Sequence, residues 1–225
     1  MSSPSAVLSR PAAAAAAALC LSLGALPAAH AVSIVEYKFP GSTFVPTYVA
    51  AGVTASDAND EGSLATVEPG ITAPDSLFLG IFNPATNADE AVSSGQYFQF
   101  TVAADAGYAL DLHDLSFLVG KGSSAGPRGW VLRSSLDGFG SNLAIEEVLS
   151  TAPAFDAFSV DLSDGFQGVR GDLTYRIYGF VPGAGQGLFF DDLVLDGLLA
   201  PVPEPATYGL FGLGLAALAF RRRRA

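Results

Sequence analysis

Tyr97-Phe98-Gln99-Phe100-Thr101-Val102 is the stretch on which the fold turns. Its aromatic and β-branched side chains suit a pleated, half-buried strand. Working outward, the same kind of run returns at short intervals, each closed by turn chemistry. Ser33-Ile34-Val35-Glu36-Tyr37-Lys38-Phe39 alternates and stops at Pro40-Gly41. Ser76 to Phe82 is another run, and Tyr108 to Val119 is a longer one with a bend expected around Asp111 to Asp114. Trp130-Val131-Leu132-Arg133-Ser134-Ser135 runs into Asp137-Gly138, and Phe158-Ser159-Val160-Asp161-Leu162 into Asp164-Gly165. Leu173 to Val181 ends at Pro182-Gly183, and Leu188 to Leu195 at Asp196-Gly197. Gly, Pro and Asp at these breaks supply the backbone conformations that turns require. No long segment carries a helical stripe, and the polar stretches Ala55 to Glu68 and Asn83 to Gln96 read as loops. About eight strands in about 170 residues predict an all-β protein, an antiparallel β-sandwich. The absence of a repeat of fixed period argues against a solenoid or β-helix.

The strand-bearing segment runs from Val32 to Ala200, long enough for one domain with a substantial core. The whole chain has a formal charge of −11, with 22 acidic and 11 basic residues. Arg10 and Arg221 to Arg224 lie outside the segment, so its basic residues are Lys38, Lys121, Arg128, Arg133, Arg170 and Arg176. Among the acidic residues only Glu204 lies outside it, which leaves the segment near −15. Such a surface repels nucleic acid, which is excluded as a partner.

The two ends have a different character. Arg10 is the only charge ahead of an apolar run from Ala12 to Leu26, short of the roughly 20 residues a spanning helix needs. Pro27 and the small-x-small triplet Ala29-His30-Ala31 follow, the pattern signal peptidase accepts. Residues 1–31 therefore read as a signal peptide with an N-terminal signal helix, cut after Ala31, with Val32 as the mature N-terminus. The only cysteine, Cys20, lies within it, so the mature chain has no disulfide and no thiolate site. At the other end, Pro201-Val202-Pro203-Glu204-Pro205 is followed by apolar Ala206 to Phe220 and by Arg221, Arg222, Arg223 and Arg224. The prolines hold the backbone extended and open to an enzyme. The arginines favour the cytoplasmic side, so the domain is expected outside.

Proline-glutamate-proline, a short hydrophobic helix and a terminal arginine cluster, in that order over residues 201–225, resemble the PEP-CTERM sorting signal of Gram-negative bacteria. The resemblance implies recognition by an exosortase, with processing near Val202, Pro203, Glu204 and Pro205. It also implies transient anchoring in the inner membrane, then display at the cell surface or release. The logic is that of a tail used as a temporary anchor. Association with exopolysaccharide is a further implication of the same resemblance. Within the domain, Phe190-Asp191-Asp192-Leu193-x-Leu195-x-Gly197 is similar to the last strand of jelly-roll carbohydrate-binding modules. That similarity implies a jelly-roll-like antiparallel β-sandwich.

No catalytic constellation is legible, and the chain reads as a non-enzyme. His113 is the only histidine after cleavage and has no nucleophile-elbow signature near it. One histidine and no cysteine cannot make a zinc site of the usual kind. Glu146-Glu147 and Asp191-Asp192 are adjacent carboxylates, but neighbours on a strand point to opposite faces. An extracellular carbohydrate-active enzyme would instead need two distant carboxylates brought together. Adhesion or ice binding would need a flat, regular, Thr-rich face. Calcium is the one cofactor considered, a structural ion held by Glu36 near the first strand with Asp191 and Asp192 on the last. For sugar binding the candidates are Trp130, Arg128, Tyr97 and Tyr178, aromatic faces and a scarce cation. Trp130 shares a strand face with Leu132, which favours a core position, and ion-pair partners would account for Arg128 and Arg133.

Overall fold

A computed structural model of the protein describes residues 32–123, 126–202, 212–213 and 222. The signal peptide, its cleavage site at Ala29 and Ala31, and most of the C-terminal tail lie outside the described residues. The chain forms β1 (Val32–Tyr37), β2 (Tyr48–Val49), β3 (Val53–Ala55), β4 (Thr66–Pro69), β5 (Leu77–Ile81), α1 (Ala88–Ser94), β6 (Tyr97–Ala104) and β7 (Tyr108–Lys121). These are followed by β8 (Gly129–Ser134), β9 (Ala144–Glu147), β10 (Asp156–Asp161), β11 (Leu173–Phe180) and β12 (Gln186–Pro201).

Two antiparallel sheets result. One has the order β10-β7-β12-β1-β2, with β5 also paired to β12 and β4 to β5; the other has the order β3-β6-β11-β8-β9. From β5 onward the chain passes repeatedly between the sheets, so most sequence neighbours face one another across the core, the connectivity of a jelly-roll-like sandwich. The long strand β12 organises the first sheet. It pairs with β7 along most of its length, with β5 through residues 186–190, and with β1 through residues 193–197. β5 and β1 therefore lie end to end against one edge of β12.

Alternation puts one row of each strand into the core. Phe98, Phe100 and Val102 of β6 meet Leu188, Phe190, Leu193 and Leu195 of β12, all buried. Aromatic rings carry the packing between the sheets. The Phe98 and Phe190 rings lie 4.9 Å apart edge-on, and those of Phe117 and Trp130 lie 4.8 Å apart. Phe100 bridges Tyr37 and Tyr175, both at 5.4 Å. The bend expected in Tyr108 to Val119 is a bulge at His113, because Gly197 pairs with Leu112 and Asp196 with Asp114. The extra residue resets the alternation, so Leu110 and Leu112 before it and Leu115, Phe117 and Val119 after it all point inward.

Two segments expected to be loops carry structure. Thr66–Pro69 pairs with β5 as an edge strand. Within Asn83 to Gln96, α1 is set by capping: the Asn87 side chain accepts the Glu90 amide at 3.0 Å, and the Glu90 carboxylate accepts the Thr86 amide at 2.7 Å. Gly95 closes the helix in the left-handed conformation. Gln96 is fully buried and ties the helix end to the preceding loop. Its carbonyl oxygen accepts the Phe82 and Asn83 amides at 2.6 and 2.9 Å, and its amide donates to the Asn83 carbonyl at 2.7 Å.

Trp130 is the single tryptophan and is fully buried between Phe117 and Phe158. Replacing it with Ala is expected to cost ~3–5 kcal/mol, the usual range for emptying an aromatic core position. Urea denaturation followed by far-ultraviolet circular dichroism checks this, and a cost below ~1 kcal/mol would place the ring outside the load of the core.

Candidate functional site

A concavity lies on the outer face of the β12-containing sheet, where β5, the start of β12 and the end of β7 run side by side. Its cavity volume is about 300 Å³, and its walls include Glu68, Phe78, Ser123, Arg128, Gln186 and Phe189. Strand register explains the shape. Phe78 of β5 stands directly opposite Phe189 of β12, their rings 4.8 Å apart and 43° inclined. Two residues along, on the same face, Gly80 stands opposite Gly187, and Gly122 donates to the Gly187 carbonyl at 3.2 Å. A rung of glycines beside a rung of aromatics makes a trough with an apolar wall. A side chain at Gly187 would strike the Phe78 ring, 2.6 Å from where its Cβ would sit. Glycine is therefore required at that position for the ring to lie over the strand.

Arg128 supplies the polar end of the cleft. It sits just before β8 and is 1% exposed. Its guanidinium donates to the Gly187 carbonyl at 3.1 Å, to Ser123 Oγ at 2.6 Å and to Gln186 Oε1 at 2.8 Å. All three acceptors belong to cleft residues, so the guanidinium lies in the cleft wall. All three are neutral. Among the described residues the one ion pair is Lys38 with Glu36, at 3.5 Å, so the ion pair expected for Arg128 does not form. Its Nε–H is buried with no acceptor among the described residues. Burial pulls its pKa down, since the charged form loses hydration.

The other residues singled out for sugar binding lie elsewhere. Trp130 is core and offers no face to a ligand. Tyr97 and Tyr178 are 5% and 4% exposed, because α1 packs over them on the outer face of the second sheet. They meet edge-on at 5.0 Å. Arg176 lies over the Tyr97 ring at 4.4 Å and the Phe139 ring at 3.9 Å. Arg133, too, lacks the expected carboxylate; it donates to Asn142 Oδ1 at 2.6 Å and the Phe139 carbonyl at 2.7 Å. Of the four sugar-binding candidates only Arg128 borders the cleft, and the lining residues Phe78, Phe189, Gln186 and Ser123 were missed. Gly80, inside the Ser76 to Phe82 run, was the one available signal, since Gly187 lies just ahead of the run read from Leu188.

Glu36 and Asp192 border a shallow groove with Lys38 and Phe158, while Asp191, next to Asp192 in the chain, is half-buried. Among the described residues no group of three or more His, Cys, Asp or Glu side chains is disposed to hold a metal ion. The acidic pair marks a seam in the sheet. The β12 register shifts between Asp191 and Val194, and Asp192 takes a positive φ of 44°. The Asp192 amide donates to Asp191 Oδ1 at 2.7 Å. Burial, then the charges of Asp192 and Asp75, push the Asp191 carboxyl up from 3.8 to about 6, against the pull of the Asp192 amide and Lys38.

β12 runs through Pro201, and the Val202 amide donates to the Gly107 carbonyl at 2.8 Å. The chain then enters the tail, and residues 201–224 match the PEP-CTERM protein-sorting motif. The protein thus combines an antiparallel β-sandwich with a PEP-CTERM tail. Among the described residues no helix is long and apolar enough to cross a membrane; Arg221, Arg223 and Arg224 lie outside them. No curated protein matches the chain. Among solved structures, a cleaved adhesin domain of Lys-gingipain from Porphyromonas gingivalis is 12% identical, covering 74% of this chain and 99% of its own, with a TM-score of 0.42. A carbohydrate-binding module described as recognising mannan is 12% identical, covering 76% and 99%, with a TM-score of 0.36. An arabinose-bound α-L-arabinofuranosidase is 14% identical over 73% of this chain, with a TM-score of 0.42, and the likeness spans only 27% of that enzyme.

The Asp191 shift has a defined sign. A carboxyl whose folded value is raised favours the fold when protonated, so its contribution is fully present below about 4 and is lost as pH rises through about 6. Asp191→Asn keeps the oxygen that accepts the Asp192 amide and removes the charge. It should stabilise the protein at pH 8 by about 1 kcal/mol, allowing for solvent screening of a half-buried group, and by nothing below pH 4. Urea titrations at the two pH values, followed by Trp130 fluorescence, check the difference; an equal effect at both would mean that Asp191 titrates as an ordinary carboxylate.

Proposed function

We propose that this is an exported, non-catalytic surface module. Its tail is read by an exosortase at Pro203-Glu204-Pro205, and its cleft around Arg128 binds saccharide of the exopolysaccharide or extracellular matrix. The observation that carries the binding half is the cleft itself. An aromatic wall, half-buried Phe78 backed by buried Phe189, shares one concavity with hydrogen-bonding groups from Arg128, Gln186 and Ser123. Sugars offer a flat apolar face and a rim of hydroxyls, and this is the complementary arrangement. The sorting half rests on the match of residues 201–224 to the sorting motif. In this reading signal peptidase removes residues 1–31, the inner membrane holds the chain transiently, and the mature domain works outside the cell.

The enzyme alternative is less well supported by the same cleft. Hydrolysis of a glycosidic bond generally uses two carboxylates flanking the scissile oxygen. Among the described residues Glu68 is the only carboxylate in the cleft wall, and Glu146 and Glu147 lie on the edge strand β9.

Both halves are testable. In a host that has an exosortase, replacing Pro203-Glu204-Pro205 with alanines should leave the full-length chain membrane-associated and uncut near residue 204. Unchanged processing and release would refute the sorting half. The purified full-length protein should bind a subset of glycans on an array, and Phe78→Ala should weaken retention about tenfold, the loss expected for one stacking ring. Unchanged retention in that variant would move the binding site off this cleft.

A further inference from the structure

Arg128 is an unusual residue to bury. Taking a guanidinium out of water is costly unless a carboxylate or a full set of hydrogen bonds replaces its hydration. A guanidinium has five N–H donors, and the three bonds to Gly187, Ser123 and Gln186 leave the Nε–H among those unused. The domain carries a large excess of carboxylates, yet among the described residues none lies within ion-pair distance of this cation. Glu68, in the wall of the same cleft, is exposed and unpaired with it. The charge of Arg128 is therefore held at the wall of a concavity, supported by neutral acceptors and, among the described residues, left without a counter-ion.

We propose that the ligand of this cleft is a sugar acid, and that its carboxylate is the missing partner of Arg128. The inference rests on the saccharide reading above and narrows it from sugars in general to uronate-type units. The carboxylate pairs with the guanidinium, displacing or sharing the Ser123 and Gln186 contacts, and the ring lies along the half-buried face of Phe78, which Phe189 backs. Arginine suits this role because its planar fork matches a carboxylate, which the point charge of lysine does not. A volume of about 300 Å³ admits a single sugar unit with its immediate linkage, so recognition is of one acidic residue at a time. Glu68 then acts as a brake: its negative charge at the cleft wall opposes the incoming carboxylate and limits affinity.

The test is titration calorimetry on the full-length protein with four probes: glucuronate, glucose, glutamate and acetate. The expected result is saturable binding of glucuronate, with glucose, glutamate and acetate at least tenfold weaker. Arg128→Lys keeps a cation but loses the fork, and should weaken glucuronate about tenfold or more. Glu68→Gln, an exposed substitution that leaves the core untouched, should tighten glucuronate about threefold to fivefold through loss of a nearby like charge. This second variant keeps the test decisive if the Arg128 variant folds poorly. Glucose binding as tightly as glucuronate would overturn the sugar-acid inference and leave the saccharide reading standing. Glutamate or acetate binding as tightly would overturn it by showing that the carboxylate alone is read. Binding of none of the four would overturn it as well, and glycan-array retention would then decide whether the saccharide reading survives. Glucuronate affinity unchanged in Glu68→Gln would place the carboxylate away from this cleft and overturn the assignment.

Discussion

The β7–β12 ladder is the constraint from which the rest of the sandwich follows. β12 is long enough to serve three partners, with β7 on one side and β5 and β1 in succession on the other. Two strands cannot abut along a single edge without a break, and the break falls at Asp191 and Asp192. Around it three residues other than glycine take positive φ: Asp192 in the bulge, Phe39 just past β1 and Asp75 just ahead of β5. Each is a strained choice for an L-residue, tolerated when the surroundings fix it. Here the fixing is explicit. Asp191 accepts the Asp192 amide, Asp75 accepts the Gly41 amide at 2.8 Å, and Phe39 is fully buried against Tyr37 and Phe44. The raised Asp191 carboxyl is the electrostatic counterpart of that crowding. Because β5 is held to β12 on one side of the seam, Phe78 comes to stand over Gly187 beside Phe189, and the cleft exists.

The strands were legible because their evidence is local: a period of two, aromatic and β-branched residues, and Gly, Pro or Asp at the ends. Even the bend in β7 could be placed, since Asp111-Leu112-His113-Asp114 interrupts the alternation. The helix α1 was missed because seven residues give too little periodicity to detect. Its real signature is the capping set Thr86-Asn87, Glu90 and Gly95, which is visible only when sought. That omission had a consequence for the site. With α1 unseen, Tyr97 and Tyr178 looked like available faces, although the helix covers both. Trp130 beside Leu132 pointed to the core, and the core is where it lies.

The partners of Arg128 were illegible for a different reason. Ser123 is near in sequence, but Gln186 and Gly187 come from a strand almost sixty residues on, and only the register of β12 brings them to it. Charge statistics even pointed the wrong way, since an arginine in so acidic a domain is expected to find a carboxylate. In the fold, Arg133 takes amide and carbonyl oxygens and Arg176 takes aromatic faces and the Gln99 side chain. The acidic residues remain mostly at the surface, where hydration favours them more than a partly desolvated pair would.

The same long strand connects the two halves of the functional reading. Gln186 and Gly187, at the start of β12, border the cleft, and Pro201, at its end, opens the sorting motif. Sixteen residues of strand at ~3.3 Å each separate the two by up to about 50 Å, somewhat less for the bulges. No flexible linker intervenes, because Pro201 pairs with Tyr108 and the Val202 amide is fixed to Gly107. The cleft and the sorting motif therefore lie toward opposite ends of β12, with the cleft opening on the outer face of that strand's sheet. In the proposed reading that separation keeps the cleft clear of the processed tail, and it is set by the length of one β-strand.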